Sequence, residues 1–292
     1  VRGLDLSDRP WDNGYGSPGR PSDSFEAHPY PFYTAKTSRD LPKDTWDRVA
    51  TKFRLTDFAN VPTAPGKPGR FQGNAQPNRG NNPIIINEYG WLWLNRDGSP
   101  TTLTKANYDA WLGPDSTTEQ RRELYARYLA AMTEHWRSHR QVAAVLHFCG
   151  LGYSRPTGQT SDHFVDIEKL RLEPYFASYV GDAFAPVGLM IDHWAEEIEA
   201  GHPGDLPVVV INDLASAWQG TVRLQVRGRQ TATFDQQQPC RVASLGREVV
   251  TFKQALPTEP GTYKIVAELA LPDGRPVRSR RQVEVLPLAT GK

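Results

Sequence analysis

The sequence predicts an α/β region over residues 1–182 followed by an all-β domain over residues 183–292. Three observations carry that division. Residues 83–90 and 142–148 hold the apolar runs Ile84-Ile85-Ile86 and Val142-Ala143-Ala144-Val145-Leu146. Both end abruptly in polar or glycine-containing segments, as strands covered on both faces of a parallel sheet do. Between them, residues 116–139 carry a helix signature. After Asp182 the pattern turns to short segments that alternate apolar with polar residues, with no helical period among them.

Taken in order, the first 82 residues are rich in loop signals, notably the Gly and Pro cluster at 14–21 and the polar, glycine-rich run at 64–82. Residues 25–32 read as a strand end running into a loop, because Pro29 and Pro31 bar a helix interior. A strand at 83–90 follows. Ser116-Thr117-Thr118-Glu119 forms a capping box, and Leu124, Tyr128, Ala131 or Met132, and His135 or Trp136 recur at helical spacing to about His139. The next strand, at 142–148, completes a β/α unit of a parallel sheet or barrel. Beyond Asp182, strands are expected at 207–211, 220–226, 249–252, 261–269 and 280–286, with a turn at Pro272-Asp273-Gly274-Arg275. About half a dozen short strands in this span describe an immunoglobulin-like β-sandwich, serving either as a module packed on its neighbour or as an independent carbohydrate-binding domain.

Composition excludes several classes. With 34 Lys and Arg against 33 Asp and Glu, the net charge of +1 argues against a nucleic-acid binder, whose affinity rests on uncompensated cations. No apolar run approaches the roughly 18 residues of a membrane span. Eight Trp and eleven Tyr are many for so polar a chain, and such rings suit sites that hold sugars. Cys149 and Cys240, far apart in segments of different character, read as unpaired thiols. The chain opens at Val1 without a basic or apolar leader pattern, and no His-rich spacing of the zinc type occurs, so no metal or cofactor is expected. No Gly-x-Ser-x-Gly elbow supports a serine hydrolase.

Glu88 is the candidate catalytic residue. It follows an apolar strand directly, and the C-terminal ends of barrel strands are where catalytic side chains are displayed. Asn87 and Tyr89 beside it can hold a carboxylate, and Trp91 can wall a sugar pocket or pack in the core. Such a carboxylate suits the nucleophile of retaining glycoside hydrolysis, which also needs a second carboxylic acid to protonate the leaving oxygen. His28 and Tyr30 make a second polar strand end, placed to orient substrate or the nucleophile or to form structural hydrogen bonds. Asn13, with Asp12 and Tyr15, makes a third, and His147 stands at a fourth.

Leu4-Asp5-Leu6-Ser7-Asp8-Arg9-Pro10, His28-Pro29-Tyr30 and Asn87-Glu88-Tyr89-Gly90 together resemble the later strands of the catalytic barrel in glycoside hydrolase family 2, the group of β-galactosidases, β-glucuronidases and β-mannosidases. The resemblance covers residues 1–182. It implies the second half of a (β/α)8 TIM barrel with Glu88 as nucleophile, followed by the immunoglobulin-like β-sandwich. It also implies that the acid/base, a Glu after an Asn at the end of the fourth strand, lies upstream of Val1. Leu146-His147-Phe148 departs from the family pattern, which commonly has a Trp and an acidic residue there. Four strands of an eight-stranded barrel cannot close, so the missing N-terminal half is expected as a partner, in the same chain or another. A carbohydrate substrate is expected, in an extracellular or periplasmic setting rather than a cytoplasmic one. The alternative is a catalytically inactive carbohydrate-binding or scaffolding protein that keeps the barrel surface but lacks the acid.

Overall fold

The computed structural model describes residues 4–5, 7–12, 14, 17–35, 48–50, 53–61, 63–64, 81–90, 92–148, 163–201, 203–229 and 232–288. In chain order its strands and helices begin with β1 (Phe25–Ala27), β2 (Tyr33–Ala35), β3 (Arg48–Ala50) and β4 (Ile84–Ile86). Then come α1 (Lys105–Leu112), α2 (Thr118–His139), β5 (Ala144–Val145), β6 (Phe164–Asp166), β7 (Arg171–Leu172) and α3 (Gly181–Ala183). The rest is strand: β8 (Val187–Ile191), β9 (Glu197–Glu199), β10 (Leu206–Asn212), β11 (Trp218–Arg227), β12 (Ala232–Val242), β13 (Arg247–Phe252), β14 (Gly261–Ala270) and β15 (Pro276–Leu286). The described chain is thus mostly strand with few helices, in open sheets. It divides into two compact units, one of Val1–Phe53, Val61–Arg121 and His139–Lys169, the other of Arg54–Asn60, Arg122–Ser138 and Leu170–Lys292.

In the first unit β1, β4 and β5 form a parallel sheet in that order, Phe25 opposite Ile84 and Ile85 opposite Ala144. An isolated parallel bridge between Asp12 and Ser24 adds a fourth rung on the β1 side. The strands are shorter than the apolar runs suggest. Ile86 is fully buried, but Ile84, Ile85, Ala144 and Val145 are only half-buried and Leu146 is half exposed. The cover on both faces expected for residues 142–148 is therefore incomplete, and among the described residues β5 is also an edge strand. Tyr108 of α1 donates its hydroxyl to the Leu92 carbonyl at 2.6 Å, and Thr104, just before that helix, donates to the Trp93 carbonyl at 2.7 Å. These bonds satisfy buried polar groups that would otherwise cost about 1–3 kcal/mol each.

The helix expected at 116–139 forms as α2, with its capping box one residue later than the sequence pattern suggests. Thr117 is the N-cap: the Gln120 backbone N–H donates to its hydroxyl, and its own N–H donates to the Gln120 side chain. The pattern Ser/Thr-x-x-Glu/Gln occurs in both registers here, and the later one starts the helix at Thr118.

In the second unit the sheets β13-β10-β8 and β12-β11-β14-β15-β9 enclose one core. Alternate residues supply it: Val208 and Val210 from β10, Val222, Leu224 and Val226 from β11, Ile265, Ala267 and Leu269 from β14. This is the period-2 pattern of strands buried on one face. The five strands expected from alternation all form, each extended by a residue or more. Alternation missed β8, whose five residues are all buried and show no polar face, and β12, whose Asp235, Gln236, Gln237, Gln238 and Pro239 have low strand propensity. β12 is an edge strand, where Pro is tolerated. Within this unit Glu134 of α2 meets Arg281 of β15 at 2.9 Å with both side chains under 5% exposed. Ser279 donates to the same carboxylate at 2.8 Å, and the Arg281 guanidinium lies 4.7 Å over the Trp194 ring. Burial pushes the Glu134 carboxyl above its usual range, and Arg281 and Ser279 oppose that rise.

Candidate active site

The site is built on the carboxyl edge of the parallel sheet in the first unit. Residues that follow β1 and β4 leave the sheet on the same edge because the strands run in the same direction. Glu26, His28 and Tyr30 stand at i, i+2 and i+4, so an extended backbone turns all three to one face. Asn87 and Glu88 follow β4 directly.

These five side chains meet. The Tyr30 hydroxyl donates to Glu88 Oε2 and lies 3.0 Å from His28 Nδ1. His28 Nδ1 is 3.6 Å from the same Glu88 oxygen. On the other side of the ring, His28 Nε2 is 2.5 Å from Glu26 Oε1, and Asn87 Nδ2 donates to that oxygen at 2.5 Å as well. The phenol has one proton. When it goes to Glu88, His28 Nδ1–H must donate to the phenol oxygen, and the short Nε2 contact to Glu26 then needs a proton of its own. That proton resides on the imidazole or on the Glu26 carboxyl, and either way Glu26, His28, Tyr30 and Glu88 form one continuous hydrogen-bonded relay.

The relay is well enclosed: His28 is 1% exposed, Glu26 7% and the Glu88 side chain 13%. Burial, followed by the charge of Glu26, pushes the Glu88 carboxyl up to about 7. The Tyr30 hydroxyl acts in the opposite direction, since a donor to the carboxylate favours its ionised form. Asp12, on the neighbouring rung, is also raised by burial, offset by the Gly14 N–H that it accepts at 3.0 Å. Two acceptors at the centre, Glu26 Oε2 and Asn87 Oδ1, are buried with no hydrogen-bond partner among the described residues. Buried polar atoms are normally paired, so these two lack the donor that such atoms usually have.

The structure therefore brings His28, Tyr30, Asn87 and Glu88 together. Tyr89 and His147 form a second cluster, with the Tyr89 ring edge-on to His147 and His147 Nε2 2.9 Å from His163 Nε2. Burial lowers His147 to about 4, and burial together with the neighbouring His147 holds His163 well below the usual imidazole value, so both rings are neutral at pH 7 and one Nε2–H donates to the other. Asn13 and Trp91 lie outside the described residues. Glu26 is the residue the sequence reading passed over. Its signal was present in the polar i, i+2, i+4 set beginning inside a strand, where alternation puts Phe25 and Ala27 on the opposite face. No group of three or more His, Cys, Asp or Glu able to hold a metal ion occurs among the described residues.

No family model matches the sequence, and no curated protein matches it. Among solved structures, an exo-chitosanase variant from Amycolatopsis orientalis in complex with PNP-beta-D-glucosamine is 15% identical, with a TM-score of 0.39 over 59% of this chain and 20% of that one. A β-glucosidase from Listeria innocua is 15% identical, with a TM-score of 0.27 over 35% and 16% of the two chains. One from Erythrobacter marinus is 16% identical, with a TM-score of 0.26 over 34% and 15%. The chain spans about a fifth or less of the length of these three structures, and the likeness to each is loose.

Proposed function

We propose that residues 1–182 are the later half of a (β/α)8 barrel of a retaining glycoside hydrolase and that residues 183–292 are an immunoglobulin-like domain attached to it. The observation that supports this best is the relay ending on Glu88, at the carboxyl edge of a parallel sheet whose four rungs follow one another in chain order. A nucleophilic carboxylate must be aimed and kept from swinging away, and the Tyr30 donor does this for one oxygen while leaving the other for the anomeric carbon. Glu26 and His28 then hold the phenol in orientation. Departure of the leaving group requires a second carboxylic acid to protonate it. Glu26 is engaged by His28 and Asn87, so we assign that role to the barrel half expected upstream, on the same chain or a partner.

One observation favours a second reading, a carbohydrate-binding protein without turnover. A Glu88 carboxyl titrating near 7 is about half protonated at neutral pH, and a protonated acid does not attack. Kinetics of the upstream-extended chain on aryl glycosides separate the two. The enzyme reading expects Glu88→Ala to abolish turnover and azide to restore it as a glycosyl azide. Unchanged turnover in Glu88→Ala removes the assignment, and a wild-type chain that binds sugar without cleaving any aryl glycoside establishes the second reading.

A further inference from the structure

The outer face of the five-stranded sheet in the second unit carries a groove of about 730 Å³ lined by Arg227, Arg229, Lys264, Arg278, Arg280 and a single carboxylate, Glu268. Two of these cations are already matched: Arg278 pairs with Glu268 at 2.6 Å, and Arg280 with Asp182 at 2.9 Å. Arg227 donates to the neutral Gln225 at 3.1 Å. Asp235, on β12, is held by both Arg223 and Gln225, and its charge also interacts with Arg227. The groove thus has a surplus of positive charge centred on Arg227, Arg229 and Lys264.

The arrangement of that surplus works against the sheet. Arg227 of β11 and Lys264 of β14 are directly opposite each other in the register, and like charges so placed are destabilising. Protection of a bare sheet edge does not account for them, because β11 and β14 are interior strands of the five. The next row along the same strands joins Gln225, Val266 and Arg280, and the register sets Gln282 opposite Lys264. Arg227 and Lys264 thus face each other across one strand spacing of about 4.8 Å, with Arg280 in the next row, interleaved with amide and hydroxyl groups from Gln225, Thr262 and Gln282.

We propose that this groove binds an acidic polysaccharide, its carboxylate or sulfate groups on Arg227, Arg229 and Lys264 and its hydroxyls on the neighbouring amides. An anion between Arg227 and Lys264 relieves their repulsion. The described lining holds no aromatic ring, so binding here rests on charge and amide contacts; that suits a chain read through its acidic groups and disfavours single-stranded nucleic acid, whose bases need rings to stack on. The site belongs to the second unit and does not depend on the role of Glu88.

Titration calorimetry on the full chain in low salt tests this, using oligogalacturonate, heparin-derived oligosaccharide, neutral dextran oligosaccharide and an oligothymidylate as probes. The first two distinguish carboxylate from sulfate. The variant Arg227→Ser with Lys264→Ser removes two exposed charges, and Arg247→Ser, on the other sheet, controls for net charge. The expected result is binding of at least one acidic glycan and not of dextran. The double variant should bind it roughly tenfold or more weakly, with a salt dependence shallower by about two charges, while Arg247→Ser stays near wild type. Three outcomes overturn the proposal: neither acidic glycan bound below about 1 mM, the oligothymidylate bound more tightly than both, or the double variant indistinguishable from Arg247→Ser.

Discussion

Replacing Tyr30 and replacing Glu26 should move the titration of Glu88 in opposite directions. In the folded chain Glu88 titrates near 7, raised by burial and then by the charge of Glu26. Tyr30→Phe deletes the hydroxyl that donates to Glu88 Oε2 and keeps the ring. A hydrogen bond to a charged group contributes about 1.5–3 kcal/mol, and one pH unit corresponds to about 1.4 kcal/mol, so the midpoint should rise by roughly 1–2 units. Glu26→Gln removes a neighbouring negative charge and leaves the burial in place, so the midpoint should fall from 7 toward, without reaching, the ordinary value of 4.5. Carbon-13 NMR of side-chain carboxyls follows this directly, with the Glu88 resonance assigned by its loss in Glu88→Gln. A midpoint in Tyr30→Phe within about half a unit of wild type would mean that the phenol does not stabilise the carboxylate, and the relay would be wrong. A rise in Glu26→Gln would likewise refute the electrostatic account of Glu88.

The same raised value makes Glu88 a stability liability at high pH: the folded state holds its proton more tightly than the unfolded one, so stability falls between about pH 4.5 and 7 and then levels, by on the order of 3 kcal/mol. Glu88→Gln should therefore melt higher than wild type at pH 8 and show a flatter pH dependence, and an unchanged pH profile of Tm would contradict this. Arg281→Met leaves the Glu134 carboxylate buried without its partner and should cost about 3–5 kcal/mol in urea unfolding, with Glu134→Leu in the same chain recovering much of the loss. Thr117→Ala removes the N-cap of α2 and should cost about 1 kcal/mol by the same measurement. Gly98→Ala should destabilise by more than about 1 kcal/mol, since its φ of 79° is left-handed and a Cβ there would come within 2.3 Å of Thr118 Cγ2. A neutral result would show that the 95–99 turn relaxes.

The parts of the fold legible in the sequence were those where burial writes a period. One-sided strands such as β11 and β14 alternate, and α2 announces itself by its cap and by Leu124, Tyr128, Met132 and Trp136. β8 was hidden because a strand buried on both faces has no alternation to read, and β12 because an edge strand tolerates glutamines and a proline. In the site, Glu88, His28, Tyr30 and Asn87 were readable as polar residues closing apolar strands. For Glu26 the sequence offers only its place at the head of the i, i+2, i+4 set with His28 and Tyr30, and its role shows once His28 and Asn87 are seen converging on it. The neutral His147 and His163 pair depends on a contact across sixteen residues that no spacing rule encodes.

The central claim is that Glu88 attacks a sugar. Incubating the upstream-extended chain with a panel of 2-deoxy-2-fluoro glycosyl fluorides, which slow release of a glycosyl-enzyme, and mapping the adduct by peptide mass spectrometry tests it most directly. The account predicts one sugar per chain, on the peptide that carries Asn87-Glu88-Tyr89 and localised to Glu88, and none in Glu88→Gln. An adduct on any other carboxylate, or turnover of the matching aryl glycoside with no adduct at Glu88, would contradict it.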